Sequence, residues 1–355
     1  MKRLLWLAAL LVCSGLLALL LAEGLLRALH LAPTDGLTTV SRTEFLHIPG
    51  MLAPGSQFID LRNENLPHRV SIDSLGYRGQ EFPREKQAHE VRIVMIGDSF
   101  VYGDFVDDSA SLPAQLEREL RRTCPGSRVI NAGIPGTTVT EHEHVVTRAL
   151  SLHPDLVILA FTENDVSDLA SRPQWDILDE HRRAKATFPT NVLYPLLHRT
   201  ALWNLAMQVR GRLRTEGHAD AASRQVTTAG RAGVVPDSAL RAFYEREFTV
   251  IATVLAQKHV PLDLLTFPAH LTLYGSWSTE QLEWVEAMSL RHDVPVLATL
   301  PALRADGGDE RSLYLMPHDG HPSARGYRVA ARSIAPAVLA TPTLAARCLP
   351  PAPRA

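Results

Sequence analysis

Cysteine is scarce in this chain, with three in 355 residues. Cys13 lies inside an apolar run, which leaves Cys124 and Cys348 as one possible pair, or as two free thiols. An excess of charge of either sign is also missing. Thirty-six Lys+Arg stand against 38 Asp+Glu, for a formal net charge of −2. There is no basic stripe for nucleic acid and no acidic tail. No metal-ligand cluster stands out among the 15 histidines. Glu141-His142-Glu143-His144 is the densest group, but it lies in a helical stretch where consecutive residues point in different directions. It reads as exposed helix surface, and no metal site is expected. No internal repeat is present. The chain is 46% hydrophobic and 21% charged, which fits a globular protein with one large domain plus appendages.

One long apolar run is present, Leu4 to Ala22, behind Met1-Lys2-Arg3. At 1.5 Å rise per residue, about 19 helical residues span roughly 28 Å, close to the hydrocarbon thickness of a bilayer. A cleaved signal has a shorter core and a small-x-small site, and neither is found near Leu20-Leu21-Ala22. A lipoprotein reading of Cys13 meets bulky Val12. The run therefore reads as a transmembrane signal anchor over residues 1–32. Lys2 and Arg3 favour an inside N-terminus, although Arg27 beyond the span weakens that inference. The rest of the chain would then face the periplasm or the exterior. In that oxidising setting a Cys124–Cys348 pair would staple the tail, 341–355, to the body of the protein.

The sequence is most informative at Val91-Arg92-Ile93-Val94-Met95-Ile96, where a branched apolar run stops at Gly97-Asp98-Ser99. Such a run fits a strand buried on both faces. A serine at the C-terminal lip of a parallel strand lies where open α/β sheets place ligands. Two more strands break into polar or glycine-rich loops: Val129-Ile130-Asn131-Ala132-Gly133-Ile134-Pro135-Gly136, and Asp155 to Phe161 followed by Thr162-Glu163-Asn164-Asp165. In a parallel sheet these ends lie side by side. Late in the chain comes His318-Asp319-Gly320-His321-Pro322. Serine, aspartate and histidine in this order suggest an activated nucleophile. Each piece alone also reads as a turn: Ser99 as a helix cap, Gly133 as a turn glycine, Asn164 as an Asx-turn.

Taken together, Gly97-Asp98-Ser99, Gly133, Asn164-Asp165 and the late Asp-His pair resemble the four blocks of an SGNH hydrolase of the GDSL esterase superfamily. Ile72-Asp73-Ser74-Leu75-Gly76-Tyr77-Arg78-Gly79 resembles a lead-in of its membrane-anchored bacterial members. The resemblance implies a three-layer αβα, flavodoxin-like fold with a parallel sheet of about five strands over 91–340. It implies ester hydrolysis or acyl transfer without a metal or organic cofactor. Catalytic roles then fall to Ser99, His321 and Asp319. Oxyanion donors would be the Ser99 and Gly133 N–H groups and the Asn164 amide. Two departures stand out. Thr162 takes the place of the usual glycine, and the last block is Asp319-x-His321 rather than Asp-x-x-His, with His318 in the usual aspartate position. Asp98 is expected to satisfy turn N–H groups rather than do chemistry.

Residues 33–90 read as a linker and small cap, and about 167–237 as an insertion too long for an ordinary loop. Within it Thr200 to Leu213 is amphipathic, either packed on the core or acting as a lid or membrane-facing helix. Thr215 to Val234 is small and polar and reads as unstructured. Helices are expected over 111–122, 139–152, 238–258, 278–292 and 323–339, and strands over 262–267 and 294–299. Three functions compete: a serine esterase acting on a small-molecule or glycan O-acyl ester, an O-acyltransferase acting on a cell-envelope glycan, and a silent envelope-binding module. Nothing in the sequence speaks to oligomeric state.

Overall fold

A computed structural model describes residues 2–29, 54–60, 63, 65–170, 187–197, 200–203, 205–206, 209 and 238–348. The expected unstructured stretch 215–234 lies outside them. Five strands form one parallel sheet: β3 (Val91–Gly97), β4 (Ser127–Gly133), β5 (Leu156–Phe161), β6 (Leu262–Thr266) and β7 (Val296–Ala298), in the order β4-β3-β5-β6-β7. Earlier in the chain, β1 (Gln57–Asp60) and β2 (His68–Ser71) pair as an antiparallel hairpin.

Alternation along the strands explains the layers. Val91, Ile93 and Met95 of β3 join Ile158 of β5 on one face, and Val94 and Ile96 join Val157 and Leu159 on the other. On the first face pack α3 (Leu112–Leu120) and α12 (Ala324–Ala340), through Leu112, Leu116, Tyr327, Ile334 and Val338. On the second pack α4 (Val139–Leu150), α7 (Ser238–Gln257) and α9 (Glu280–Arg291), through Val145, Phe248, Ile251, Val285 and Met288. The architecture is the αβα sandwich expected of this family type. Short helices complete it: α2 (Ser99–Tyr102), α5 (Asn164–Asp168), α6 (Thr190–Leu197), α8 (His270–Leu273), α10 (Leu300–Asp306), α11 (Glu310–Leu313) and α13 (Pro342–Cys348).

After β3 the chain crosses to β4 on one side and then to β5 on the other. The strand order therefore reverses at β3, and a crevice opens beyond its C-terminal end. Ser99 follows β3 there. At the opposite end of the sheet Cys124 and Cys348 form a disulfide that ties α13 to the turn after α3.

The tetrad 141–144 corrects the expectation of an exposed surface. Glu141 and His142 are both buried. Glu141 closes a capping box with Thr138 at the start of α4, and His142 Nε2 lies 3.1 Å from Thr137 Oγ1. Burial pushes the His142 imidazole down to about 3, so it stays neutral. Local cap chemistry turned these residues inward. Among the described residues no group of three or more His, Cys, Asp or Glu is arranged to hold a metal ion.

N-terminal to the sheet lies α1 (Lys2–Ala28), whose span Ala9–Ala28 has a mean hydropathy of 2.3 and is almost entirely uncovered by the rest of the protein. Trp6 is 73% exposed. It is one N-terminal helix long and apolar enough to cross a membrane.

Candidate active site

Ser99 opens α2 directly after β3, and Asp98 is its N-cap. Asp98 Oδ1 accepts from Phe100 N–H at 2.9 Å, which satisfies one of the orphan donors of the helix start. This is the turn role expected for Asp98. The helix lasts one turn because Gly103 closes it in the left-handed conformation, at φ 87°.

His321 comes from the loop between α11 and α12. His321 Nε2 lies 2.8 Å from Ser99 Oγ, and His321 Nδ1 lies 2.5 Å from Asp319 Oδ1. The same carboxylate oxygen accepts the His321 backbone N–H at 2.8 Å. The two-residue spacing works because the loop bends back: Leu315 N–H donates to His321 O at 2.9 Å and Asp319 N–H to Leu315 O at 3.1 Å. The His318 side chain is exposed, and its carbonyl accepts from Asn63 Nδ2 at 3.0 Å. The structure thus brings Ser99, His321 and Asp319 together and leaves the His318 ring outside the chain of bonds.

Burial works against charging His321, but the bond to Asp319 and the carboxylates of Asp319, Asp104 and Asp98 outweigh it. Its imidazole is held above the ordinary histidine value. The rings of Phe100 and Phe105 flank it at 5.2 and 5.5 Å between centroids. His270 Nδ1 would lie 2.9 Å from a Cβ at Gly320, so the missing side chain there lets His270 approach the loop. Phe100, Phe105 and His270 carried no motif signal. They reach the site through tertiary packing.

The expected oxyanion donors divide. No hydrogen bond from the Ser99 N–H to a described residue occurs, since the bonds at the head of α2 involve Phe100 N and Tyr102 N. Gly133 is different. Its N–H donates to Asn131 Oδ1 at 3.0 Å. The expectation that it stands ready as a donor is corrected by that bond. What Gly133 supplies is space: a Cβ there would lie 2.1 Å from Tyr102 N in α2. Three residues later Gly136 takes φ 77° and makes no hydrogen bond to a described residue. Ile134 N–H bonds Gly97 O at 3.0 Å, which carries this loop past the end of β3.

Asn164 begins α5 after β5. Its Oδ1 accepts from Thr162 Oγ1 at 2.6 Å, and its Nδ2 donates to Asp168 Oδ2 at 2.9 Å and more weakly to Asp98 Oδ2 at 3.5 Å. Thr162 Oγ1 also lies 3.2 Å from Asp98 Oδ2. The threonine that replaces the expected glycine is therefore a hydrogen-bonding link that orients the Asn164 amide. Asp165 is buried and accepts Thr162 N–H at 3.1 Å. Burial raises the Asp98 carboxyl above the usual range, and burial with the neighbouring Asp98 charge raises Asp165 further.

Residues 95–329, about two thirds of the chain, match the model of the GDSL-like lipase/acylhydrolase family. No curated protein matches in sequence. Among solved structures, TesA is similar at 17% identity and a TM-score of 0.43, over 71% of this chain and 99% of that one. A member of the lipolytic protein G-D-S-L family from Veillonella parvula is similar at 14% identity and a TM-score of 0.39, over 69% and 96%. AlinE4, an SGNH-hydrolase family esterase, is similar at 19% identity and a TM-score of 0.37, over 74% and 99%.

Proposed function

We propose that this chain, which belongs to the GDSL-like lipase/acylhydrolase family, is a membrane-anchored serine esterase that cleaves carboxylic O-acyl esters. One observation carries the reading: the unbroken chain Asp319 Oδ1, His321 Nδ1, His321 Nε2, Ser99 Oγ, with separations of 2.5 and 2.8 Å.

In this reading His321 Nε2 takes the Ser99 proton as Oγ attacks the acyl carbonyl. Asp319 fixes the imidazole tautomer and stabilises the imidazolium. The tetrahedral intermediate collapses as His321 gives that proton to the leaving alcohol. A solvent water then loses a proton to His321 and attacks the acyl-serine, which returns free Ser99 and releases the acid. The oxyanion is held by the Ser99 N–H and by the Gly136 N–H, in place of Gly133. Asn164 is the third donor, its Nδ2 turning from Asp168 to the developing charge. Phe100 and Phe105 give the acyl group an apolar wall beside His321.

Support for the anchor is the length and apolarity of α1 behind Lys2 and Arg3. The catalytic end of the sheet then lies outside the cytoplasm.

The test is turnover of short p-nitrophenyl esters by the full chain, with labelling by a fluorophosphonate. Ser99→Ala is expected to abolish both and to leave the melting transition in place. Labelling that survives in Ser99→Ala overturns the assignment.

A further inference from the structure

The insertion after α5 carries a feature the catalytic reading does not use. Glu23, near the end of α1, accepts the Ala201 N–H at 2.9 Å on one carboxylate oxygen and the Leu202 N–H at 2.9 Å on the other. It thereby caps the helical turn that starts at Ala201. Arg27 Nε bonds the same carboxylate at 2.6 Å. Just ahead of this cap lies α6, whose Val192, Leu193 and Leu196 are exposed and, at i, i+1 and i+4, share one side of the helix. Phe188, just before it, is 82% exposed. From Thr187 to Leu197 the sequence holds no Asp, Glu, Lys or Arg. Around it the balance of charge is one-sided: residues 181–214 hold seven Lys and Arg and no Asp or Glu, in a chain of net charge −2.

From these observations we infer that residues 187–197 lie on the surface of the bilayer that α1 crosses, docked to the outer end of α1 through Glu23, with Phe188, Val192, Leu193 and Leu196 in the acyl boundary and anionic lipid headgroups as the partner. This rests on the reading of α1 as a retained membrane span. The uncharged run of α1, Leu4 to Ala22, is taken to set the depth, with Arg3 and Glu23 at its two ends. Arg3 and Glu23 are twenty residues apart, about 30 Å along a helix, which is the hydrocarbon thickness. Glu23 therefore sits at the interface, where a carboxylate needs its charge met by donors. The capped turn and α6 are held at that same level. An apolar face with basic flanks is the composition that binds anionic interfaces. Because the insertion follows Asn164 and Asp168 in the chain, the contact would tether the sheet to the lipid surface through that connection.

The test uses the full chain with Cys13→Ser, which leaves no free thiol because Cys124 and Cys348 are paired. A nitrobenzoxadiazole probe is placed at one introduced cysteine: Leu196→Cys, Leu16→Cys in α1, or Leu290→Cys on exposed α9. Each variant is reconstituted in nanodiscs of phosphatidylcholine and phosphatidylglycerol containing a spin-labelled lipid, and ester turnover reports folding. Quenching is expected at 196 and 16 and not at 290. Quenching at 196 is expected to fall when Glu23→Ala is added and when phosphatidylglycerol is omitted. Quenching at 16 with none at 196 overturns the proposal and leaves α1 a membrane span. No quenching at 16 removes the span itself. A blue shift at 196 without lipid quenching assigns this face to a protein surface and overturns the proposal. Quenching at 196 that ignores Glu23→Ala overturns the docking. Val192→Cys repeats the measurement should Leu196→Cys fail to fold.

Discussion

At the N-terminal end of the sheet, Glu90 accepts from Arg92 Nε at 2.9 Å and from Arg128 Nε at 3.0 Å. Asp155 pairs with Lys86 at 2.5 Å and Arg347 at 3.2 Å. Arg92, fully buried, also donates to the carbonyls of Pro83, Arg84 and Leu152. At the other end of the same β3, Asp98 and Asp165 are as deeply buried but form no ion pair with a lysine or arginine among the described residues. The directions of titration follow. Burial would raise Glu90, but its arginine partners pull it below the usual range, whereas Asp98 and Asp165 rise. One end spends its charges on pairing. The other leaves Asp98 and Asp165 to be pushed toward their neutral forms by burial, while the carboxylates that act on His321, Asp319 first and then Asp104 and Asp98, favour the imidazolium that the proposed mechanism requires. Carboxyls without a lysine or arginine partner are thus gathered where the proposed reaction would generate a cation.

The comparison breaks most sharply at Asp319. Asp319→Asn is expected to lower kcat by on the order of 10⁴-fold through loss of tautomer control, while His318→Ala stays mild. The pH profile gives an independent reading. Protonated His321 cannot accept the Ser99 proton, so kcat/KM falls as pH drops through its raised pKa. Removing the Asp319 charge lowers that pKa, and the acidic limb moves to lower pH. A limb that stays in place assigns the raised value to another group. At the opposite end, Arg92→Met leaves Glu90 short of a partner. It is expected to cost about 3–5 kcal/mol of stability, read from the urea midpoint, with kcat of the folded fraction unchanged. A loss of kcat without a change in midpoint would erase the division of labour between the two ends. The smallest of these effects is expected from Asn164→Ala, about 2.7–4 kcal/mol in the transition state, carried by kcat. A change confined to KM would make Asn164 a substrate-binding group.

Much of this was legible because the signals are local. Apolar runs ending at Gly97, Gly133 and Thr162 marked three strands, and parallel pairing puts their ends together. The structure brings Ser99, Asp319 and His321 together and leaves the His318 ring outside, which is the arrangement the proposed mechanism rests on. What stayed hidden depends on who occupies a hydrogen bond. Gly133 ends β4 and Gly136 lies in the loop that follows, and the two look equivalent in sequence. They differ because the Asn131 side chain folds back on the Gly133 N–H. Thr162 read as a departure from the family pattern, and only its distance to Asn164 Oδ1 gives it a purpose. Arg78 stood in a recognised lead-in with no role attached. In the fold its buried guanidinium donates to Tyr102 O, Gly103 O and Val106 O, at 2.7, 2.7 and 2.6 Å, and so clamps the segment behind the nucleophile from 24 residues away. Long-range contacts of this kind leave no period or spacing in the chain.

The close approach of Gly133 to α2 has an evolutionary consequence. With a Cβ at 133 placed 2.1 Å from Tyr102 N, selection at this position acts on volume, through the placement of the nucleophile, and not on the chemistry of the glycine. Every descendant that keeps Ser99 at the end of β3 inherits a veto on side chains at 133. An invariant glycine found there across relatives would therefore record a steric constraint set by the serine, whether or not the Gly133 N–H ever meets a substrate.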